Sequence, residues 1–215
     1  MSGVVAVFDL DGTITRGDTY LAFLIHTLRR RPHRAVRSAE LLLAAGRFKL
    51  GRLSHDELKS IFLTAIAGGS GRDAMARHVD SFLPHCLRRM IKPEALARIE
   101  WHRSRGHRLV LASASVDLYV VRLGAHWQFD ATISTRTAWH DGRLTGALDG
   151  PNLRGDAKLA AVRDLIGETR PEMFAYSDHH SDLPLLQFAD HAVAVNPTPK
   201  LLADSKANGI KVEYW

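Results

Sequence analysis

The sequence predicts an α/β protein: an open parallel sheet covered by helices on both faces, with a helical cap inserted after the first strand. Three observations carry this. Short β-branched and aromatic runs recur along the chain and stop at polar loops, helical patterns separate them, and the stretch from Tyr20 to Leu87 shows helical spacing with no convincing strand. Strands that alternate with helices are joined by crossovers rather than hairpins, which makes the sheet parallel and buries both of its faces.

Taken in order, Val4-Val5-Ala6-Val7-Phe8 is the first strand, and it ends at Asp9-Leu10-Asp11-Gly12-Thr13. Five apolar residues stopping at an acidic, glycine-containing loop describe a buried strand whose C-terminal end opens to solvent. Further strands are read at Leu109–Ala112, Met173–Tyr176 and Ala192–Val195. Helices are read at Pro93–Arg105, with proline in the first turn, at Val116–Leu123 and at Ala157–Ile166. Asp141-Gly142, between Thr132–Ala138 and Leu144–Leu148, predicts a β-hairpin, because such tight turns need residues that tolerate positive φ. In the insertion, Leu21, Leu24, Ile25 and Leu28 recur at helical spacing, as do Leu58, Ile61, Phe62 and Ala65. Ser54-His55-Asp56-Glu57 reads as a capping box, and Gly68-Gly69-Ser70-Gly71 interrupts the helices. The chain thus divides into a core of residues 1–15 and 88–215 and a cap of residues 16–87.

Composition narrows the classes. The 215 residues, 46% hydrophobic and 24% charged, suit one sizeable core carrying a smaller insertion. The single cysteine, Cys86, excludes an internal disulfide and a cysteine-cluster zinc site. No apolar run is long enough to span a bilayer, and Met1-Ser2-Gly3 lacks a basic leader region, so a cytoplasmic location is expected. The net charge of +6 is local: Arg29 to Arg52 holds eight basic residues and one acid, Glu40, leaving the rest of the chain near neutral. Such a stretch attracts phosphates, nucleic acid or an anionic membrane. Aromatic residues are too sparse there, with only Phe48, to indicate stacking on single-stranded nucleic acid.

Several polar residues fall just beyond strand ends or at a helix start: Asp9, Asp11, Ser113, Lys158, Asp178 and Asp182. In an open parallel sheet these ends share one crevice, so residues distant in sequence meet there. Crowded carboxylates repel unless a cation neutralises them, and hard oxygen donors in an open site suit Mg²⁺. A lysine and a serine hydroxyl add the positive charge and the donor that a phosphoryl group requires. Ser115 competes with Ser113 for that role and for a helix N-cap.

These motifs, in this order, resemble those of the haloacid dehalogenase superfamily of phosphohydrolases, over Val4 to about Asn196. The helical insertion resembles a C1-type cap, and the hairpin and element order resemble the phosphoserine-phosphatase-like branch, subfamily IB. The resemblance implies a three-layer Rossmann-like core and a Mg²⁺-dependent phosphomonoesterase acting through an aspartyl-phosphate. It implies Asp9 as nucleophile and Asp11 as acid and then base. Mg²⁺ would be held by Asp9, the Asp11 carbonyl and Asp178, with Asp182 behind the ion or as a further ligand. Ser113 and Lys158 would bind phosphoryl oxygens, and Gly12 would let the loop turn close to the phosphate. Two positions depart from the family pattern: Ser177 stands where glycine is usual and Ser181 where asparagine is common.

The substrate depends on the cap. Asp18 sits where phosphoserine phosphatases carry an acid for the amino acid, but no arginine stands near Leu58-Lys59-Ser60-Ile61-Phe62, and Lys59 or Arg52 replaces it poorly. A small phosphorylated metabolite is therefore expected rather than phosphoserine. Arg29–Arg37 followed by Leu41-Leu42-Leu43-Ala44-Ala45 reads in two ways. It is a surface that docks on anionic lipid, which would make the substrate a lipid phosphate, or a cap whose leucines are core and whose arginines attract small polyanions; the second is favoured. A phosphotransferase and a non-enzymatic polyanion-binding protein are the rival classes. The His179-His180 pair lacks the spacing of a zinc site. Oligomeric state is not legible.

Overall fold

A computed structural model describes residues 3–168 and 170–215. Strand β1 (Val4–Phe8) lies at the centre of a parallel sheet. On one side it pairs with β2 (Arg108–Val116), which pairs with β3 (Ala131–Thr135). On the other side it pairs with β6 (Glu172–Ser177), followed by β7 (His191–Val195) and β8 (Lys211–Glu213). Between β3 and β6 an antiparallel pair, β4 (Thr137–His140) and β5 (Arg143–Leu148), forms a separate hairpin.

Alternation along β1 sends Val5 and Val7 to one layer and Ala6 and Phe8 to the other. Val5 and Val7 meet helix α7 (Asp156–Ile166), α8 (Leu183–Phe188) and α9 (Pro199–Asn208) through Val162, Leu185 and Leu201. Ala6 and Phe8 meet α5 (Pro93–Arg103) and α6 (Asp117–His126) through Ile99 and Tyr119. The parallel sheet, covered on both faces, is the predicted core.

The cap comprises α1 (Thr19–Arg30), a 3₁₀ segment (Pro32–Arg37), α2 (Ser38–Lys49), α3 (His55–Ala67) and α4 (Arg72–Arg89). Ser54 caps α3 with the reciprocal Glu57 bond that the sequence predicts. Phe23, Leu63 and Phe82 extend the Phe8 cluster from core into cap. The two connecting segments run antiparallel, with Thr15 bridged to Ile91 and the Arg16 N–H donating to the Met90 carbonyl at 2.7 Å. The hairpin grips the cap as well. Gly69 N–H donates to the Leu144 carbonyl and Leu144 N–H to the Ser70 carbonyl, at 2.8 and 2.9 Å. Gly146, at φ +93°, lies so close to α3 that a Cβ there would fall 2.1 Å from Thr64 Oγ1.

Three expectations need correction. Thr132–Ala138 is not one hairpin strand: Thr132–Thr135 belongs to β3 of the main sheet, and only Thr137–His140 pairs across the Asp141-Gly142 turn. Side-chain alternation does not reveal this, because a chain leaving a parallel edge and entering a hairpin keeps the same period of two. The N-cap of α6 is Val116, so Ser115 is free for other work. Of the α2 leucines only Leu41 packs against the core. Ala44 is buried and Leu41 half-buried, but Leu42 and Leu43 face outward.

Candidate active site

The carboxyl ends of β1, β2 and β6 open into one cavity of about 600 Å³ beneath the cap. Asp9 follows β1 directly. The next residues make an irregular turn in which Asp11 is extended and Gly12 has φ +76°. Only glycine fits: a Cβ at Gly12 would fall 2.0 Å from Asp178 Oδ2. The Asp178 carboxylate therefore lies against the backbone of the first loop, and the first and last motifs meet there.

Lys158, near the start of α7, is buried and donates to Asp9 Oδ1 at 2.7 Å and to Asp182 Oδ2 at 2.6 Å. Burial alone would lower the lysine pKa, but Asp182 and Asp9 outweigh it and hold the ammonium charged. Asp182 Oδ2 also accepts from Ser177 Oγ at 2.8 Å. Ser177, the departure from the family glycine, thus fixes the acid that anchors Lys158. Ser181 N–H donates to His179 Nδ1 at 3.1 Å, so that imidazole serves a local turn.

Asp11 is held separately. Its Oδ1 accepts from both the N–H and the hydroxyl of Thr19, each at 2.6 Å, and its Oδ2 accepts from Ser115 Oγ at 2.6 Å. Burial raises its pKa, with Asp18 adding to the effect and the Ser115 and Thr19 bonds opposing it. Two serines therefore do different things at the end of β2. Ser115 and Ala114 line the cavity, whereas Ser113 lies fully buried behind them with its hydroxyl accepting from the Ser115 N–H at 3.0 Å. Asp18 also lines the cavity and caps α1, accepting from the Leu21 N–H at 2.9 Å.

Charge is unbalanced around Asp9. Asp9, Asp178 and Asp182 crowd the buried ammonium of Lys158, with Asp11 beside Asp9, while Lys59, Arg16 and Arg154 line the same cavity and Lys92 is buried behind Gly12. Burial pushes Asp9 up to about 8 against the lowering effect of Lys158, with repulsion from Asp182, Asp178 and Asp11 adding to the rise. Burial and Asp182 push Asp178 up to about 7. Among the described residues no three acidic or imidazole side chains form a ready-made metal cage. The excess of buried carboxylate and the glycine-lined seat of Asp178 nonetheless fit an oxygen-ligated divalent cation, one that keeps waters and takes backbone oxygen as well.

Sequence reasoning missed several contributors. Thr19 and Tyr119, joined at 2.9 Å, stand behind Asp11. Lys92 donates to the Gly12 carbonyl from the second linker. Lys59 reaches from α3 to the Ala114 carbonyl and to Asn152 Oδ1, both at 2.5 Å, while Asn152 Nδ2 donates to Asp56 at 3.0 Å. Burial lowers the Lys59 pKa to about 8, so it stays a cation at neutral pH. Of the two candidates for the missing arginine, Lys59 lines the cavity with Arg16 and Arg154, and Arg52 does not. Apart from Lys59, which the sequence offered as a poor substitute for the arginine, none of these had a sequence signal beyond residue type, since each is defined by a partner in another element.

The chain matches the haloacid dehalogenase-like hydrolases over residues 6–187, a span that includes every residue of this crevice. It belongs to that family. The hydrolase is 31% identical to the protein CicA of Caulobacter vibrioides over 87% of this chain and 83% of the relative. It is 28% identical to a probable phosphatase of Mycobacterium tuberculosis, over 95% of this chain and 72% of the relative. Among solved structures, a Bordetella pertussis protein of unknown function superposes with a TM-score of 0.85 at 23% identity, covering 99% of this chain and 98% of that one. A phosphoserine phosphatase, in a structure of its phospho-aspartyl intermediate analogue, superposes at 0.66 and 18% identity over 98% and 92%.

Proposed function

We propose that this hydrolase is a Mg²⁺-dependent phosphomonoesterase of the phosphoserine-phosphatase-like branch, acting through an aspartyl-phosphate on Asp9. The observation that carries the reading is the placement of Asp9 and Asp11. Asp9 sits at the cavity floor on Lys158, and Asp11 stands apart on its own set of donors.

In the first step an Asp9 oxygen forms the bond to phosphorus and the ester oxygen leaves with the proton of Asp11. Burial raises the Asp11 pKa, which favours the protonated form that this step requires. Thr19 and Ser115 fix the orientation of the carboxyl. In the second step Asp11 accepts a proton from water, which attacks phosphorus and releases Asp9 and phosphate. Lys158 keeps Asp9 oriented and lends positive charge to the transferred group. Asp9, the Asp11 carbonyl and Asp178 would hold Mg²⁺, with Asp182 behind them anchoring Lys158. When bound, the ion supplies charge neutralisation between nucleophile and phosphoryl oxygens. The Gly12 and Ala114 backbone would complete the phosphoryl cradle, with the Ser113 hydroxyl behind it holding the Ser115 N–H.

The leaving group meets Arg16, Lys59 and Arg154 beside Tyr20, Leu24 and Phe62. Among the described residues none of these three cations is in an ion pair. A small metabolite carrying an anionic group of its own suits that wall. Asp18 and Lys59 on the same wall support phosphoserine as the second reading.

The test is Mg²⁺-dependent phosphate release from an aryl phosphate, followed by a panel of phosphomonoesters with and without a carboxylate or second phosphate. Lys59→Met is expected to raise KM for the anionic esters about 10-fold while sparing the aryl ester. Absence of metal-dependent release from every ester would remove the phosphatase reading.

A further inference from the structure

The cap presents an apolar face that nothing in the fold covers. On α2, Ala44, Leu41 and Phe48 turn inward. Leu42, Leu43 and Gly46 lie on the opposite side at i, i+1 and i+4, with Leu50 just past the C-terminal end, so this short helix is apolar on both faces. Leu42 is 74% exposed, Leu43 64% and Leu50 70%, and Val36 in the preceding 3₁₀ segment is 84% exposed. Isolated apolar residues on a surface are ordinary, but four large ones within fifteen residues mark an interaction site.

The charges around this face are basic apart from Glu40. Arg31 and Arg34 turn inward, to the Ser70 hydroxyl and the Gly68 carbonyl, and Arg37 pairs with Glu40 at 2.8 Å. Arg29, Arg30, Arg47, Lys49 and Arg52 form no ion pair among the described residues. Arg47 and Lys49 flank the outward leucines on either side of α2, as their helical positions dictate. No helix of the described residues is long and apolar enough to cross a membrane.

We propose that α2 and the segment before it form a docking face for an anionic lipid surface, lying in the plane of the interface with Val36, Leu42, Leu43 and Leu50 inserted. A leucine-rich stripe between unpaired cations matches the boundary between acyl chains and negative headgroups. A second copy of this chain fits poorly, because a two-fold contact here would set two strongly basic segments face to face. The face lies outside the catalytic crevice, so it does not depend on the phosphatase reading.

The protein should co-sediment with phosphatidylcholine vesicles containing roughly 30% phosphatidylglycerol and not with phosphatidylcholine alone, and about 0.5 M salt should weaken the binding. Leu42→Glu with Leu43→Glu should reduce vesicle binding at least about 10-fold, and Arg47→Glu with Lys49→Glu should do the same at low salt. Both pairs should keep the wild-type circular dichroism and the rate on a soluble aryl phosphate. Asp9→Asn should bind vesicles like wild type, which separates this proposal from the enzymatic one. Failure to bind anionic vesicles, or binding indifferent to both pairs, overturns the proposal. So does a wild-type dimer in sedimentation velocity that Leu42→Glu with Leu43→Glu dissolves, since a second copy would then be the occupant.

Discussion

The core and the cap solve the burial problem differently. In β1, Val5 to Phe8 are all buried, and Asp9 and Asp11 just beyond are tied to Lys158 and to Thr19 and Ser115. In α2, Ala44 is the one apolar residue of the described side chains that is fully buried, and leucines stand in solvent. A sheet covered on both faces fixes its strand ends in position, which is where geometry must hold for phosphoryl transfer. A cap helix with one face on α3 and one face free can vary without disturbing that geometry. On the readings proposed above, the chemistry would sit on the core, and selectivity and docking on the part with surface to spare.

Four experiments put that contrast at risk. Asp9→Asn should lower aryl phosphatase activity by about 10³-fold or more while leaving thermal unfolding cooperative; near-wild-type turnover would take Asp9 out of the mechanism. Lys158→Met would leave Asp9 and Asp182 facing each other without a counter-charge. Urea unfolding should show a loss of about 3–5 kcal/mol, and an unchanged midpoint would mean that the ion pairs do not hold the crevice together. Truncation should then separate the two regions. Leu111→Ala, in the buried centre of β2, should cost about 2–5 kcal/mol, whereas Leu43→Ala should stay within about 0.5 kcal/mol. Equal effects would show that α2 is packed against something in solution.

The last test concerns pH. Without a cation, Asp9 at about 8 and Asp178 at about 7 bind protons more tightly in the folded chain than in the unfolded one, where 3.8 applies. The stability they contribute is fully present below the unfolded value and is lost as pH rises through the folded values. In a chelator, Tm should fall by several degrees between about pH 4 and pH 8, and Mg²⁺ should restore it most at the alkaline end. A Tm unaffected by Mg²⁺ at pH 8 would argue against a cation among these acids.

Much of the core is legible because its signals are local. A buried strand needs a run of apolar residues, so β1, β2, β6 and β7 announce themselves, and Asp9, Asp11 and Asp178 fall at their ends. The edge strand β8, Lys211–Glu213, carries no such run and escapes the reading. Thr132–Thr135 reads as part of the hairpin because period-two alternation does not say which partner a strand takes. The α2 leucines read as core because leucine type reports a tendency to be buried, not whether another surface is there.

Layer order, the place of the insertion and the residue types that a phosphoryl site demands all follow from periodicity and from chemistry carried on single residues, so the linear chain is enough to read them. Which oxygen each side chain meets is settled only on folding. Ser115 rather than Ser113 faces the cavity, Ser177 holds Asp182, Lys59 crosses from cap to core, and Leu42 and Leu43 have nothing above them. Each of these depends on two elements arriving at the same point, and the spacing of residues along one chain does not encode the distance between two.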